Sequence, residues 1–462
     1  MKKVLSFIVS MFLVLTLTAC LGGGGRGETL VNIPDELPNE IIEIEIWHAF
    51  GQANQDLLQE MFDSFNAIYP QVRITQLSQG GYTGLRESAI QGIVSGITPT
   101  IVMGYPDHFV EYLNGNALVP LDEYINHPLH GVDLSDFVQG FLDENRQYAD
   151  GLQYSLPFAK STEMVVYNKD FFEAQGITLD RNVPMTWTQL EALAAPMIGS
   201  GPNQCPHLFN ADSAANFFIN SSRQWGGGYT NAEGEILVDN PQTREMLAHF
   251  QRLFASNVVS FPIEWDQSFG SGPFKDGLVC MTQGSTAGTR HNVPGPDDAF
   301  SRIGVIPVIQ KDLNNQHAIQ QGPNIAIMSD ADDNQRLAAW LLLRHMTSTE
   351  NTAWFAMMTG YVPVRVSGFE DPTYQAFLQL VDRYEAGGLD ALTPQERVRL
   401  PFSMAANVAF VQVNAYGFDP AFVGRTTSSG ARSQAEALFE SVYAGTRTID
   451  EAIRRMLNQL GQ

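Results

Sequence analysis

The chain of 462 residues has only three cysteines, Cys20, Cys205 and Cys280, too few for a disulfide framework to hold the fold. Cys205 and Cys280 could pair in an oxidising compartment, and the sequence leaves that open. Basic residues are scarce too: 27 Lys and Arg against 50 Asp and Glu give a formal charge of −23. That excludes the basic footprint that nucleic acid or an anionic membrane surface needs. It does not exclude a small anionic ligand, because screening over about 8 Å leaves the donors inside a pocket to decide binding. Catalytic signatures are missing as well. No H-E-x-x-H, G-x-S-x-G, P-loop or C-x-x-C occurs, and "GSTAG" (284–288) lacks the residue order of a nucleophile elbow. The nine histidines are scattered without metal-ligand spacing, so neither a metal nor a cofactor is expected.

What is present begins with an address. Lys2 and Lys3 precede an apolar run from Val4 to Leu17, too short for a comfortable membrane span and laid out as a signal peptide over residues 1–19. It ends in Leu17-Thr18-Ala19-Cys20, which resembles a bacterial lipobox with Cys20 as the lipidated residue. The glycine run that follows formally contains G-x-G-x-x-G, but no strand precedes it and no helix follows. Residues 20–40 read instead as a tether with a reach of roughly 25 Å.

The length favours two domains. Ile42, Ile44 and Ile46 alternate with Glu43 and Glu45 as in a strand with one buried face. Leu57, Leu58, Met61, Phe62 and Phe65 recur at helical spacing before Pro70. Further strands are predicted over 72–77, 100–104, 278–284 and 302–309, with 163–170 a strand entering a helix, and helices over 82–96 and, opened by Asn240-Pro241, to about Ser256. Thr186 and Gln189 form a capping-box pattern. Strands alternating with helices predict an α/β fold with mainly parallel sheets. The polar-capped helix from Thr347 ends in Gly360, Tyr361 and Pro363, which read as exposed.

Six segments in register, "IWHAF" (46–50), "GGYTGLRESAIQGIVSG" (80–96), "PFAKSTEMVVYNKDFF" (157–172), "TWTQLEAL" (186–193), "CMTQGSTAG" (280–288) and "TSTENTAWFAMMTGYVPV" (347–364), resemble the extracellular solute-binding proteins of bacterial ABC importers. The carbohydrate family is the relevant one, and its glycerol-3-phosphate branch is the most similar. The resemblance implies a type II, two-lobe fold with the ligand between the lobes. It divides the chain into an N-terminal lobe of 41–157 and 319–357 and a C-terminal lobe of 158–318 and 358–462, with crossings near 154–160, 314–322 and 357–363.

The same resemblance implies that Tyr82, Ser161, Ser285, Gly322 and Tyr361 contact the ligand, hydroxyls bonding polyol or phosphate oxygens and Gly322 admitting close backbone approach. Arg425 would fork onto a phosphate, with Arg432 as its competitor. Asp107, after Pro106, stands where that branch has an acidic residue directly after a tyrosine. The branch's two tryptophans near 213–224 are missing, and Trp47, Phe217, Trp225, Trp265 and Tyr229 are possible substitutes. The expected partners are a carbohydrate or polyol-phosphate ligand, an ABC permease, and the membrane through the lipid; a monomer is expected. A secreted glycoside hydrolase stays as the enzyme alternative, since 50 carboxylates always permit a chance acid and base pair, and a structural surface lipoprotein is the third.

Overall fold

The sequence's alternation at Ile42, Ile44 and Ile46 is realised as strand β1 (Ile42–His48), whose three isoleucines are buried while Glu43 is exposed. The computed structural model describes residues 32–231, 233–423 and 426–462. The expected signal peptide, Cys20, most of the expected tether and Arg425 fall outside the described residues. Helix Gln52–Asn66 follows and buries the apolar set Leu57, Leu58, Met61, Phe62 and Phe65. Then come β2 (Val72–Ser78), helix Tyr82–Ser95, β3 (Ile101–Gly104), helix Pro106–Asn114 and β4 (Ser155–Pro157).

After β4 the chain builds β5 (Ser161–Asn168), β6 (His207–Ala211), β7 (Val259–Ser260), β8 (Val279–Ser285), β9 (Ile303–Ile306) and β10 (Ala318–Gln321). It returns as β11 (Asn324–Ile327), and β12 (Tyr416–Gly417) closes the series. Local signals hold where the sequence is explicit. Thr186 and Gln189 complete a capping box at helix Trp187–Ala192, and Asn240 caps helix Pro241–Ala255 by accepting from the Thr243 amide.

The strands form two sheets. One has five strands in the order β2-β1-β3-β11-β4; the other runs β12-β10-β5-β8-β6-β7, with β9 also on β5. The expectation of mainly parallel sheets needs correction. β1 is parallel to β2 and β3, but β11 is antiparallel to both β3 and β4. β5 is antiparallel to β8, β9 and β10. A parallel neighbour must be reached by a long crossover, usually helical. Here the chain steps from one sheet to the other through residues 158–160 and again through Gly322-Pro323, with no helix at either step, and the strands so reached run against their neighbours.

The second sheet carries a large aromatic core in which Trp187, Phe209, Phe217, Phe250 and Phe439 pack together. Cys205 and Cys280 lie in this core and are bonded, with Cα atoms 5.6 Å apart. Cys280 lies within β8, and Cys205 lies two residues before β6, where it bridges Ile198. Helix Asp333–Met346, capped by Asp332, buries Leu337 through Leu343.

Candidate functional site

Five of the seven ligand residues expected from sequence meet at one cavity of about 410 Å³: Tyr82, Ser161, Ser285, Gly322 and Tyr361. Each arrives at the end of an element. Tyr82 opens helix Tyr82–Ser95 just after Gly80 and Gly81, which take φ +76° and +118°. Ser161 starts β5 and Ser285 ends β8, and the Ser285 hydroxyl donates to that of Ser161 at 3.2 Å. Gly322 follows β10, directly on the step between sheets. Tyr361 follows Gly360, the left-handed residue that ends helix Thr349–Thr359.

Gly360, Tyr361 and Pro363 are buried, contrary to the exposed reading. Tyr361 is only 7% exposed because its ring stacks on Phe355 at 5.8 Å and lies 5.9 Å from Phe50, while Val362 bridges Lys160. Its phenol neighbours that of Tyr82, whose ring lies 4.7 Å from that of Tyr105. Burial, with the neighbouring phenols adding to it, pushes Tyr82 well above the ordinary phenol value, so this trio is neutral and offers donors as well as acceptors.

Asp107 does not reach that cavity. It lines an adjoining one of about 380 Å³ that shares Tyr82, Tyr105 and Gln321 with the first, and it accepts from the Ser429 hydroxyl at 2.6 Å. Arg432 lines this second cavity, bonds the side chain of Asn216 and lies 3.7 Å from Asp419. Among the tryptophan substitutes, Tyr229 alone lines the cleft. Phe217 and Trp225 are core, Trp265 packs on His207, and the Trp47 indole bonds Glu45.

Sequence reasoning missed a polar network in the floor. Asn216 donates to Glu163 at 2.7 Å and to Gln321 at 2.9 Å, and Gln283 donates to the other oxygen of Glu163 at 2.8 Å. Burial pushes Glu163 above the usual carboxylate range, with the two amides pulling the other way. Asp212 is pushed to about 6, again by burial, while the Gly270 amide donating to it at 2.5 Å opposes the shift. The period of two along β5, which turns Ser161 and Glu163 to one side, was the available signal for Glu163. Four helix N-termini also meet at the two cavities: Tyr82–Ser95, Pro106–Asn114, Ala214–Gln224 through its cap Ser213, and Ser428–Tyr443. Free amides and positive dipole ends there suit oxygen-rich or anionic ligands.

The Asp212 shift makes a prediction about pH. Because the folded value exceeds the ordinary aspartate value of 3.8, the native state holds a proton that the unfolded chain gives up. Stability therefore falls as pH rises through that window, by up to ~3 kcal/mol for a shift of this size, and levels off above it. Asp212→Asn keeps the acceptor for Gly270 but cannot ionise. Urea midpoints measured at acid and neutral pH should show a flatter profile and a higher neutral-pH stability than in the parent.

A model of the bacterial extracellular solute-binding protein family matches residues 60–379. The chain belongs to this family. Among curated relatives, the sn-glycerol-3-phosphate-binding periplasmic protein UgpB of Shigella dysenteriae is 23% identical over 380 residues, covering 79% of this chain and 83% of the relative. Among solved structures, UgpB of Mycobacterium tuberculosis, in complex with glycerophosphocholine, superposes with a TM-score of 0.73 at 18% identity, over 91% of this chain and 97% of that one. The substrate-binding protein Lmo0181 of Listeria monocytogenes, in complex with cycloalternan, gives 0.70 at 18% identity, over 91% and 98%. This solute-binding protein thus has the type II, two-lobe α/β fold.

Proposed function

We propose that this solute-binding protein captures a polyol phosphate of the glycerol-3-phosphate type and delivers it to an ABC permease, without catalysing a reaction on it. The observation that carries the reading is the convergence of Tyr82, Ser161, Ser285, Gly322 and Tyr361 on one cavity, continuous in its lining with a second cavity that holds Arg432 and three helix N-termini. Hydroxyls and amides of the first cavity take the polyol, and the second takes the phosphate, with Arg432 or Arg425 as the guanidinium partner. The lobes divide close to 41–157 with 319–357 and 158–318 with 358–462. A signal peptide over 1–19 and lipidation of Cys20 hold the protein outside the cytoplasm, as a membrane-tethered monomer.

Ligand contacts from both sheets favour a closed state that the permease recognises. Moving a 1:99 balance of closed to open to 99:1 takes about 5.5 kcal/mol of differential binding. A micromolar ligand, worth about 8 kcal/mol in total, can supply it.

A neutral mono- or oligosaccharide is the second reading. It is favoured by the acidic lining, with Glu163 and Asp212 in one cavity and Asp107, Asp419 and Glu436 in the other, and by Arg86 being already held by Glu111 at 2.7 and 2.9 Å. Thermal unfolding of protein freed of carried-over ligand, in the presence of glycerol-3-phosphate, its diesters, maltose or trehalose, separates the two. A ligand at about 100 times its Kd stabilises by about 2.7 kcal/mol, a readable upward shift. A shift with phosphates supports the first reading and a shift with sugars alone the second. No shift with any of them removes both, and release of a cleaved product would point to the hydrolase alternative.

A further inference from the structure

Phe269 is the one large apolar side chain of the first cavity that stands out in solvent. It is 67% exposed, lines the cavity beside Asp212, Ser271 and His291, and among the described residues no other aromatic ring packs on it. Lone exposed apolar residues are common on surfaces, but the local chain conformation separates this one from those. Its neighbour Gly270 is pinned to the sheet floor through the Asp212 bond at 2.5 Å. Gly270 also sits so close to β6 and β8 that a Cβ there would meet Asn210 Oδ1 and Thr282 Oγ1 at 2.6 Å each. On the other side Asp266 takes the left-handed conformation, φ +54°, and ends the turn Pro262–Trp265. The backbone beside Phe269 is thus held in place, while its ring stays mostly exposed at the cavity.

Phe269 belongs to the second-sheet side, just after β7, whereas Tyr82 and Tyr105 of the same cavity follow β2 and β3 in the first sheet. Glu163, Ser161 and Ser285 supply polar groups along the wall between them. A polyol or sugar has two kinds of surface, a hydroxyl edge and a C–H face, and the polar groups here satisfy only the edge.

We propose that Phe269 is the aromatic platform of this binding site, packing against the C–H face of the bound polyol or sugar. The inference rests on the polyol or sugar reading of the cavity and holds for its phosphate or neutral version alike. It makes Phe269 a determinant of affinity for ligands that present a continuous C–H face.

Calorimetric titration of the full chain and of Phe269→Ala and Phe269→Trp, with the ligand that most raises the parent's melting temperature, tests it. Phe269→Ala should weaken binding about tenfold, consistent with the value of a buried aromatic contact, while leaving the ligand-free melting temperature unchanged because the ring is exposed. Phe269→Trp should bind within about threefold of the parent, and its indole emission should shift to shorter wavelength as ligand is added. Alanine binding within twofold of the parent, or tryptophan emission indifferent to saturating ligand, overturns the platform while leaving the solute-binding reading in place. A parent that binds none of the phosphates or sugars removes the reading itself, and with it the platform.

Discussion

Gly322→Ala should abolish ligand binding and destabilise the protein by more than ~3 kcal/mol, because it combines backbone strain with a clash that has no flexible side to yield. Gly322 holds φ +106°, a conformation that side chains with a Cβ rarely adopt. A Cβ built there would lie 2.0 Å from the Ala159 carbonyl oxygen and 2.9 Å from Lys160 Cα. Both atoms are backbone of the other step between the sheets, so relief requires the two crossing segments to separate. Those segments carry Ser161 and Gln321 into the cavity. Denaturant midpoints and titration of the same sample should therefore fall together. Near-parental affinity in a folded Gly322→Ala protein would mean that the crossings do not set the site's geometry.

Lys160→Met is expected to cost ~3–5 kcal/mol, the range for removing one partner of a buried ion pair and leaving the other charge unpaired. Lys160 is fully buried and bonds Glu144 through its ammonium group. The same Nζ donates to the Gly322 carbonyl at 2.8 Å, and the Lys160 carbonyl accepts from Val362 at 2.8 Å. One residue thus ties the crossings at 158–160 and 322–323 to the segment that presents Tyr361. Burial pushes Glu144 up and Lys160 down, and the attraction between them opposes both shifts. Combining Lys160→Met with Glu144→Gln should recover part of the loss, since the amide no longer strands a charge. Urea unfolding of both variants checks this, and a single variant costing under about 1 kcal/mol would show that the pair is not a structural tie.

The features legible in the sequence were those encoded locally. The isoleucine alternation of β1, the Thr186 and Gln189 box and the Asn240-Pro241 start each depend on neighbours within a turn or a strand. The family resemblance brought Tyr82, Ser161, Ser285, Gly322 and Tyr361 to notice, and they do share a cavity. Features decided by distant chain were not legible. Glu163 meets Asn216 and Gln283 across 53 and 120 residues. Tyr361 looked exposed because Phe50, which covers it, arrives from the other end of the chain. The direction of β5 and β11 depends on how the chain crosses between sheets, which hydropathy does not encode. Phe269 carried no signal at all, since an isolated phenylalanine among polar residues reads the same in a core turn and at a ligand site.

On the proposed reading, the paired serines and tyrosines of the first cavity hold a small oxygen-rich solute. Calorimetric titration of the chain, unfolded and refolded to strip bound ligand, against glycerol-3-phosphate, its diesters, maltose and trehalose tests it most directly when run beside the Ser161→Ala/Ser285→Ala double variant. One-to-one binding of at least one of these compounds is expected, weakened about tenfold or more in the variant, as two lost hydrogen bonds of ~1 kcal/mol each would give. Binding that is indifferent to loss of both serines, or no binding by a correctly refolded parent, would contradict it.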